Sequence, residues 1–322
     1  MKPFIWIIDE EWEDYKIEKH LFARELPEYD LKFSGNAFEE DLAEFGTKAS
    51  AVLCQINISM KRDTLLKLNK AKIVSVYGAG YDNVDVTLAG ERNIAVANVP
   101  GYCADDVSDY VIAAMYRVNK QLVSYYTKIK NGLWGAQAVK NQIRRLSSQT
   151  LFICGLGRIG LKIAQKAKAL GMTVTFFDPY VTEDQAKAYG LESLGLEDGL
   201  KTSDFVSLNM KLSDETRGMM STAQFALMKP DAYLINASRG GVVDQPALVL
   251  AVKDGVIRGA CLDVIEKEPP SYDEEIFRVE NIFITPHISY FSQDALDELK
   301  TTAAQNIVDY LKNGSCANVV KS

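Results

Sequence analysis

The stretch TLFICGLGRIG (150–160) constrains the fold of this chain more than any other. An apolar run ends in Gly155-Leu156-Gly157-Arg158-Ile159-Gly160. A helical pattern follows, with apolar positions Ile159, Ile163, Ala164, Ala167 and Leu170, and Gly171 closes it. TVTFF and then Asp178 come next. Glycines alone mark turns everywhere, but strand, glycine turn, helix, strand and acid in that order read as a dinucleotide-binding unit. Gly155 permits the tight turn, Gly157 lets the backbone approach a pyrophosphate, and Gly160 lets the helix lie close to the strand. The helix start, at Arg158 and Ile159, offers free amides and the positive end of the helix dipole to phosphates. Asp178 can accept hydrogen bonds from a ribose, and its charge repels a 2′-phosphate. The expected cofactor is therefore NAD (NADH), not NADP.

Around this unit, strand-like and helix-like stretches alternate almost throughout, which predicts an α/β fold with parallel sheets. One series of strands comprises FIWII (4–8), AVLCQI (51–56), KIVSVY (72–77) and AVANV (95–99), with helical patterns near 62–70 and 84–92. A second comprises TLFICG (150–155), TVTFFD (173–178), FVSLN (205–209), AYLINA (232–237), GACLDV (259–264) and NIFITP (281–286). Two amphipathic helices, 104–118 and 292–313, connect the series; Ser292 is a plausible N-cap of the second and Gly314 closes it. At 322 residues the chain has room for two domains with separate cores.

Charge and cysteine usage narrow the function classes. Thirty-six Lys and Arg against forty-three Asp and Glu give a net charge of −7, with no basic run. Neither a nucleic-acid groove nor a membrane surface is expected as partner. The N-terminus reads as a first strand and not as a signal peptide. Five cysteines without a C-x-x-C pair, three of them (Cys54, Cys154, Cys261) inside apolar strand-like runs, predict a cytoplasmic protein without a disulfide framework. No metal ligand set is expected, because His20 and His287 have no cysteine clusters around them.

Three further motifs follow strand ends. INASRGGVVD (235–244) carries Arg239, whose guanidinium can grip a carboxylate in two-pronged fashion. LDVIEKEPP (262–270) carries Asp263 and Glu268. ITPHISYF (284–291) carries His287, one of only two histidines in the chain. In a parallel sheet the C-terminal strand ends line the ligand crevice, so Arg239, Glu268 and His287 can reach one place.

With these pieces assembled, the chain resembles the D-isomer-specific 2-hydroxyacid dehydrogenase family over essentially its full length. VYGAGYDNVD (76–85), ANVPGYCADDVSDY (97–110), GLGRIG (155–160), FFDPY (176–180), INASRGGVVD, LDVIEKEPP and TPHI (285–288) carry the likeness. YCADDVSDY and the aromatics after TPHI lean toward the branch holding hydroxypyruvate or glyoxylate reductases and the C-terminal-binding-protein corepressors. The resemblance implies an Arg239, Glu268, His287 catalytic set. It implies a coenzyme site formed by the glycine fingerprint, Asp178, Met210, Thr216, Ala237, Ser238, Arg239, Asp263 and His287. Substrate contacts are implied at Ala79, Gly80, Tyr102, Arg239 and Tyr290, with Gln55 or Tyr77 as further candidates for the side-chain pocket. The implied architecture is a Rossmann coenzyme domain, 102–286, and a smaller flavodoxin-like substrate domain built from 1–101 and 287–322. A homodimer through the coenzyme domain is implied as well, with Leu133-Trp134-Gly135 part of the contact. Phe152, Asn209, Lys211 and Ser289-Tyr290-Phe291 depart from the family pattern.

The chemistry asked of these groups is that of a 2-oxo acid and D-2-hydroxy acid interconversion. Arg239 would bind the carboxylate and polarise the ketone. His287 would give or take the proton, and Glu268 would orient the imidazole and favour its charged form. Ala79 and Gly80 amides would complete the carboxylate site, and Asp263 would hold the nicotinamide carboxamide. A short-chain dehydrogenase reading of Tyr126 and Lys130 fails because the pair precedes the glycine fingerprint. Formate as substrate is disfavoured by Glu268, where formate dehydrogenases usually carry Gln. An NADH-sensing corepressor or scaffold keeps the same triad and is the alternative; the absence of disordered tails favours the enzyme.

Overall fold

The computed structural model describes residues 2–138 and 143–320. The chain divides into two compact units, Met1–Cys103 with Phe291–Ser322, and Ala104–Tyr290.

The first unit is built on five parallel strands: β1 (Phe4–Ile8), β2 (Asp30–Ser34), β3 (Ala51–Gln55), β4 (Ile73–Tyr77) and β5 (Ala95–Ala97), in the order β2-β1-β3-β4-β5. This is the flavodoxin-like order, whose topological switch point lies between β1 and β3. Strand residues alternate between two cores. Trp6, Val52, Cys54, Val74 and Val76 pack on one face. Ile5, Ile7, Leu53, Ile73 and Tyr77 pack on the other, against Phe22 of the first helix (Lys16–Glu25) and Leu299, Ala303 and Ile307 of the C-terminal helix (Gln293–Asn313). Ser292 caps the C-terminal helix by accepting from the Ala295 N–H, and Gly314 ends it at φ 73°.

The second unit carries seven parallel strands: β6 (Thr150–Cys154), β7 (Thr173–Phe177), β8 (Glu192–Ser193), β9 (Phe205–Leu208), β10 (Tyr233–Asn236), β11 (Gly259–Leu262) and β12 (Ile282–Ile284). Their order is β12-β11-β10-β9-β6-β7-β8, with the strand order reversing at β6. That is the doubly wound Rossmann arrangement, and it brings the C-terminal ends of β6, β9, β10, β11 and β12 to one edge. Helix Ala104–Asn119 belongs to this unit. It packs along the fingerprint helix Arg158–Ala169, where Lys166 pairs with Asp109 and Lys162 with Asp105. Phe152, the departure within the fingerprint strand, is fully buried over Gly199, where an added Cβ would come within 2.1 Å of its ring.

Two strands lie outside the sequence reading. β2 is mostly exposed and β8 has two residues, and both are sheet edges. The divide between the units also falls after Tyr290, not before His287. The reason is local: the chain at 287–289 is hydrogen-bonded to Asp263, next to β11. All five cysteines are free, four of them buried. Among the described residues no helix is long and apolar enough to cross a membrane.

Candidate active site

The glycine turn is shaped as a phosphate cradle requires. Gly155 has φ 90°, and a Cβ there would sit 2.8 Å from the Asn209 carbonyl oxygen. At Gly160 an added Cβ would fall 2.2 Å from the Gly155 carbonyl oxygen, so helix and turn touch backbone to backbone. Around Gly157 nothing lies within 4 Å of such a Cβ, so the turn is open on the side from which phosphates approach. As N-cap, Gly157 brings no side chain to the first-turn amides beyond it, at Arg158 and Ile159. Asp178, one residue past β7, accepts from the Leu156 N–H (2.8 Å) and the Tyr180 N–H (2.9 Å), which sets its carboxylate beside the turn. These residues fit the pyrophosphate and ribose of a dinucleotide.

Other expected coenzyme residues hold the loops at the same sheet edge. Thr216 donates its hydroxyl to the Lys211 carbonyl (2.7 Å) and accepts from the Ser213 N–H. Met210 packs its side chain on the core below. Past β10, Ala237 packs against the core, while the Ser238 hydroxyl and N–H both donate to Asn236 Oδ1. Asn236 Nδ2 donates in turn to the Arg239 carbonyl (2.9 Å), so this buried amide staples the Arg239 turn.

The three polar residues expected to act together come from three successive strand ends. Gly240 is pressed against the Ile265 carbonyl, where a Cβ would overlap at 1.8 Å, and this contact joins the Arg239 turn to the turn carrying Glu268. Glu268 Oε1 accepts from the Ile265 N–H (3.0 Å), and Oε2 lies 2.6 Å from His287 Nδ1. The imidazole and carboxylate side chains keep 25% and 34% of their surface, so the pair is reachable from outside. Partial burial pushes the Glu268 carboxyl up. The His287 ring, the Ile265 amide and the nearby Arg239 charge outweigh that effect and leave it below the usual carboxylate range.

His287 is one of three non-glycine residues with positive φ among the described residues, at 54°. Its N–H donates to the Asp263 carbonyl (2.8 Å) and to the Thr285 carbonyl (3.0 Å). Asp263 is 1% exposed, and its carboxylate accepts from the Thr285 hydroxyl (2.6 Å), the Ile288 N–H (2.9 Å) and the Ser289 N–H (2.8 Å). The structure therefore gives Asp263 a duty the sequence reading did not assign, holding the histidine turn in its strained conformation. Tyr110, whose hydroxyl meets Thr285 Oγ1 at 2.7 Å, supports the same turn and was also missed. An apolar cavity of about 480 Å³, lined by Pro269, Tyr272, Phe277, Ile284 and Pro286, adjoins Glu268 and His287.

In the first unit, Ala79 and Gly80 lie in the loop after β4. The Ala79 carbonyl is anchored by Asn98 Nδ2 (2.7 Å), and neither N–H of the pair has an acceptor among the described residues. Tyr102 packs partly buried on the core of this unit, and Tyr290 ends the second unit half-buried. Tyr77 is 2% exposed and its hydroxyl donates to Glu18 Oε1 (2.7 Å). Gln55 ends β3 and is 2% exposed.

Residues 112–289 match the family profile described as "D-isomer specific 2-hydroxyacid dehydrogenase, NAD binding domain", more than half of the chain. The chain belongs to the D-isomer specific 2-hydroxyacid dehydrogenase family. The glyoxylate reductase of Thermococcus litoralis is 33% identical over 319 residues, covering 94% of this chain and 96% of that enzyme. The D-3-phosphoglycerate dehydrogenase of Methanocaldococcus jannaschii is 33% identical over 283 residues; the match spans 88% of this chain but 53% of that longer protein. Among solved structures, a D-lactate dehydrogenase of Aquifex aeolicus in complex with NAD and lactic acid superposes with a TM-score of 0.83 at 25% identity, covering 99% of this chain and all of the other. Membership in this dehydrogenase family makes the chain an NAD-dependent oxidoreductase of the 2-oxo acid and 2-hydroxy acid class.

Proposed function

We propose that the protein reduces a 2-oxo acid to a D-2-hydroxy acid with NADH, and runs the reverse oxidation, with His287 as the acid–base. The observation that carries this reading is the 2.6 Å contact between His287 Nδ1 and Glu268 Oε2 at the coenzyme-side sheet edge. With Nδ1 engaged, Nε2 is the nitrogen that hands the proton to the carbonyl oxygen. Arg239 binds the substrate carboxylate and stabilises charge building on the ketone oxygen. In the first unit the Ala79 and Gly80 amides, without an acceptor among the described residues, suit a carboxylate as well. When bound, the nicotinamide supplies the hydride. Asp263 positions His287 through the backbone of its turn. In this reading the unit Ala104–Tyr290 is the coenzyme domain and the unit Met1–Cys103 with Phe291–Ser322 the substrate domain.

Turnover of NADH with a panel of 2-oxo acids, from glyoxylate to phenylpyruvate, tests the proposal. His287→Asn should abolish turnover while NADH binding persists. NADH binding without turnover of any 2-oxo acid by the parent protein would refute it.

The same reading includes a homodimer and a cytoplasmic home. Leu122, Val123, Tyr126 and Ile129 on helix Leu122–Lys130 are exposed, and Trp134 just beyond is 77% exposed. An apolar face of this kind suits a second copy. Free, mostly buried thiols suit a reducing compartment.

A further inference from the structure

Nine buried side-chain nitrogen and oxygen atoms have no hydrogen-bond partner among the described residues, and four of them gather at one end of the first unit's sheet. They are Trp12 Nε1, Glu18 Oε2, Gln55 Nε2 and Asn83 Oδ1. Buried polar atoms are nearly always paired, so a concentration of unpaired ones signals a missing partner. Trp12 lies in the connection after β1 and Gln55 is the last residue of β3. The two thus flank the switch point between β1 and β3, where an open parallel sheet leaves a crevice at its C-terminal edge.

The contacts place these residues next to one another. Gln55 pairs in register with Tyr77, so their side chains leave the sheet on the same face. The Tyr77 hydroxyl donates to Glu18 Oε1, and the Trp12 ring meets the Tyr77 ring edge-on with centroids 6.2 Å apart. Lys300 Nζ stands 3.9 Å from Glu18 Oε2, too far for a hydrogen bond. Asn83 Nδ2 donates to the carbonyls of Gln55 (3.2 Å) and Ile58 (2.8 Å), which ties the loop after β4 to the turn after β3. That loop carries the unpaired amides of Ala79 and Gly80. Gln55 is 2% and Glu18 0% exposed, so neither is satisfied by bulk solvent.

We propose that this cluster of unpaired atoms reads the distal end of the substrate, and that the group it takes is a hydroxyl on a 2-oxo acid whose carboxylate rests on the Ala79 and Gly80 amides. This rests on the function proposed above. Trp12 Nε1 and Gln55 Nε2 are donors that need an acceptor, whereas Glu18 Oε2 needs a donor; a hydroxyl answers both. A second carboxylate is a poor occupant, because Asp9 and Glu18 outnumber Lys300 beside the cluster. Gln55 ends β3, and the loop with Ala79 and Gly80 follows β4, its neighbour in the sheet, so a short-chain hydroxy acid is the natural test.

The test compares 4-hydroxy-2-oxobutanoate, 2-oxobutanoate and 2-oxosuccinate as substrates with NADH. The hydroxy acid should exceed the other two in kcat/KM by about tenfold or more. Gln55→Met should collapse that ratio toward unity, and Trp12→Phe, which keeps the ring against Tyr77, should lower it. NADH affinity, measured in parallel, reports whether each variant folds. A parent protein that treats the hydroxy and alkyl acids alike, or variants that leave the ratio unmoved, would overturn the proposal and leave ordered water as the only occupant. If no 2-oxo acid turns over, the function proposed above fails. Calorimetric binding of the same three acids in the presence of NADH then decides: tighter binding of the hydroxy acid sustains the hydroxyl recognition, and equal binding refutes it.

Discussion

Asp178 stands where β7 meets the glycine turn, its carboxylate locked by the Leu156 and Tyr180 amides. A coenzyme 2′-phosphate would meet a fixed negative charge there, so NADH should be used in strong preference to NADPH. Asp178→Ser should narrow the kcat/KM ratio of the two coenzymes by roughly tenfold or more, the factor that about 1.4 kcal/mol of relieved repulsion gives. Equal use by the parent protein would contradict this. At Arg239 a lysine keeps the charge but loses the planar fork. Arg239→Lys should lower kcat/KM for the 2-oxo acid about a hundredfold, with KM raised and NADH affinity unchanged; collapse of NADH affinity instead would assign Arg239 to the coenzyme site. Glu268 gives a pH prediction. Its carboxyl lies below the ordinary range in the folded chain, so it contributes stability above its unfolded value of about 4.3, and that contribution is lost as acid titrates it. Glu268→Gln should therefore flatten the fall of the urea midpoint between neutral and acid pH. An unaltered slope would mean that Glu268 is not the linked group.

At the scale of elements, the decisive contacts are backbone on backbone. Gly240→Ala would drive a methyl into the Ile265 carbonyl and push the Arg239 turn away from the turn bearing Glu268. The cost should be about 3 kcal/mol or more, since backbone cannot give as a side chain can. Turnover should fall more steeply than NADH affinity, a split that steady-state kinetics and fluorescence titration would measure. These same contacts explain what could be read from the sequence. Gly155, Gly160 and Gly240 announce themselves because each serves a local turn, and Arg239, Glu268 and His287 are legible because each follows an apolar run by a few residues. β2 escaped because DLKFS is a short edge strand whose alternation rests on two apolar residues alone, Leu31 and Phe33, neither of them buried. The duty of Asp263 escaped for a different reason: its partners at 285–289 are over twenty residues away, and spacing cannot reveal that a carboxylate accepts from a distant turn. The Tyr77 contact was hidden for the same cause, since its partner Glu18 lies 59 residues away.

For the molecule as a whole, the exposed face of helix Leu122–Lys130 bears on assembly. If it covers a second copy, Tyr126→Glu with Ile129→Glu should turn a dimer into a monomer in sedimentation velocity, while NADH affinity of the subunit survives. A parent protein that is monomeric at micromolar concentration would refute that assignment. The attachment of residues 287–289 to Asp263 has a wider consequence. It makes His287 part of the same folded body as the glycine fingerprint, and leaves the amides of Ala79 and Gly80, with the unpaired atoms around Gln55, on the other. On the proposed reading, chemistry and selectivity are thus separate inheritances. Substitutions before residue 104 can drift from one 2-oxo acid to another without disturbing the alignment of hydride and proton. A lineage can change its diet in one body while the other goes on performing the same reaction.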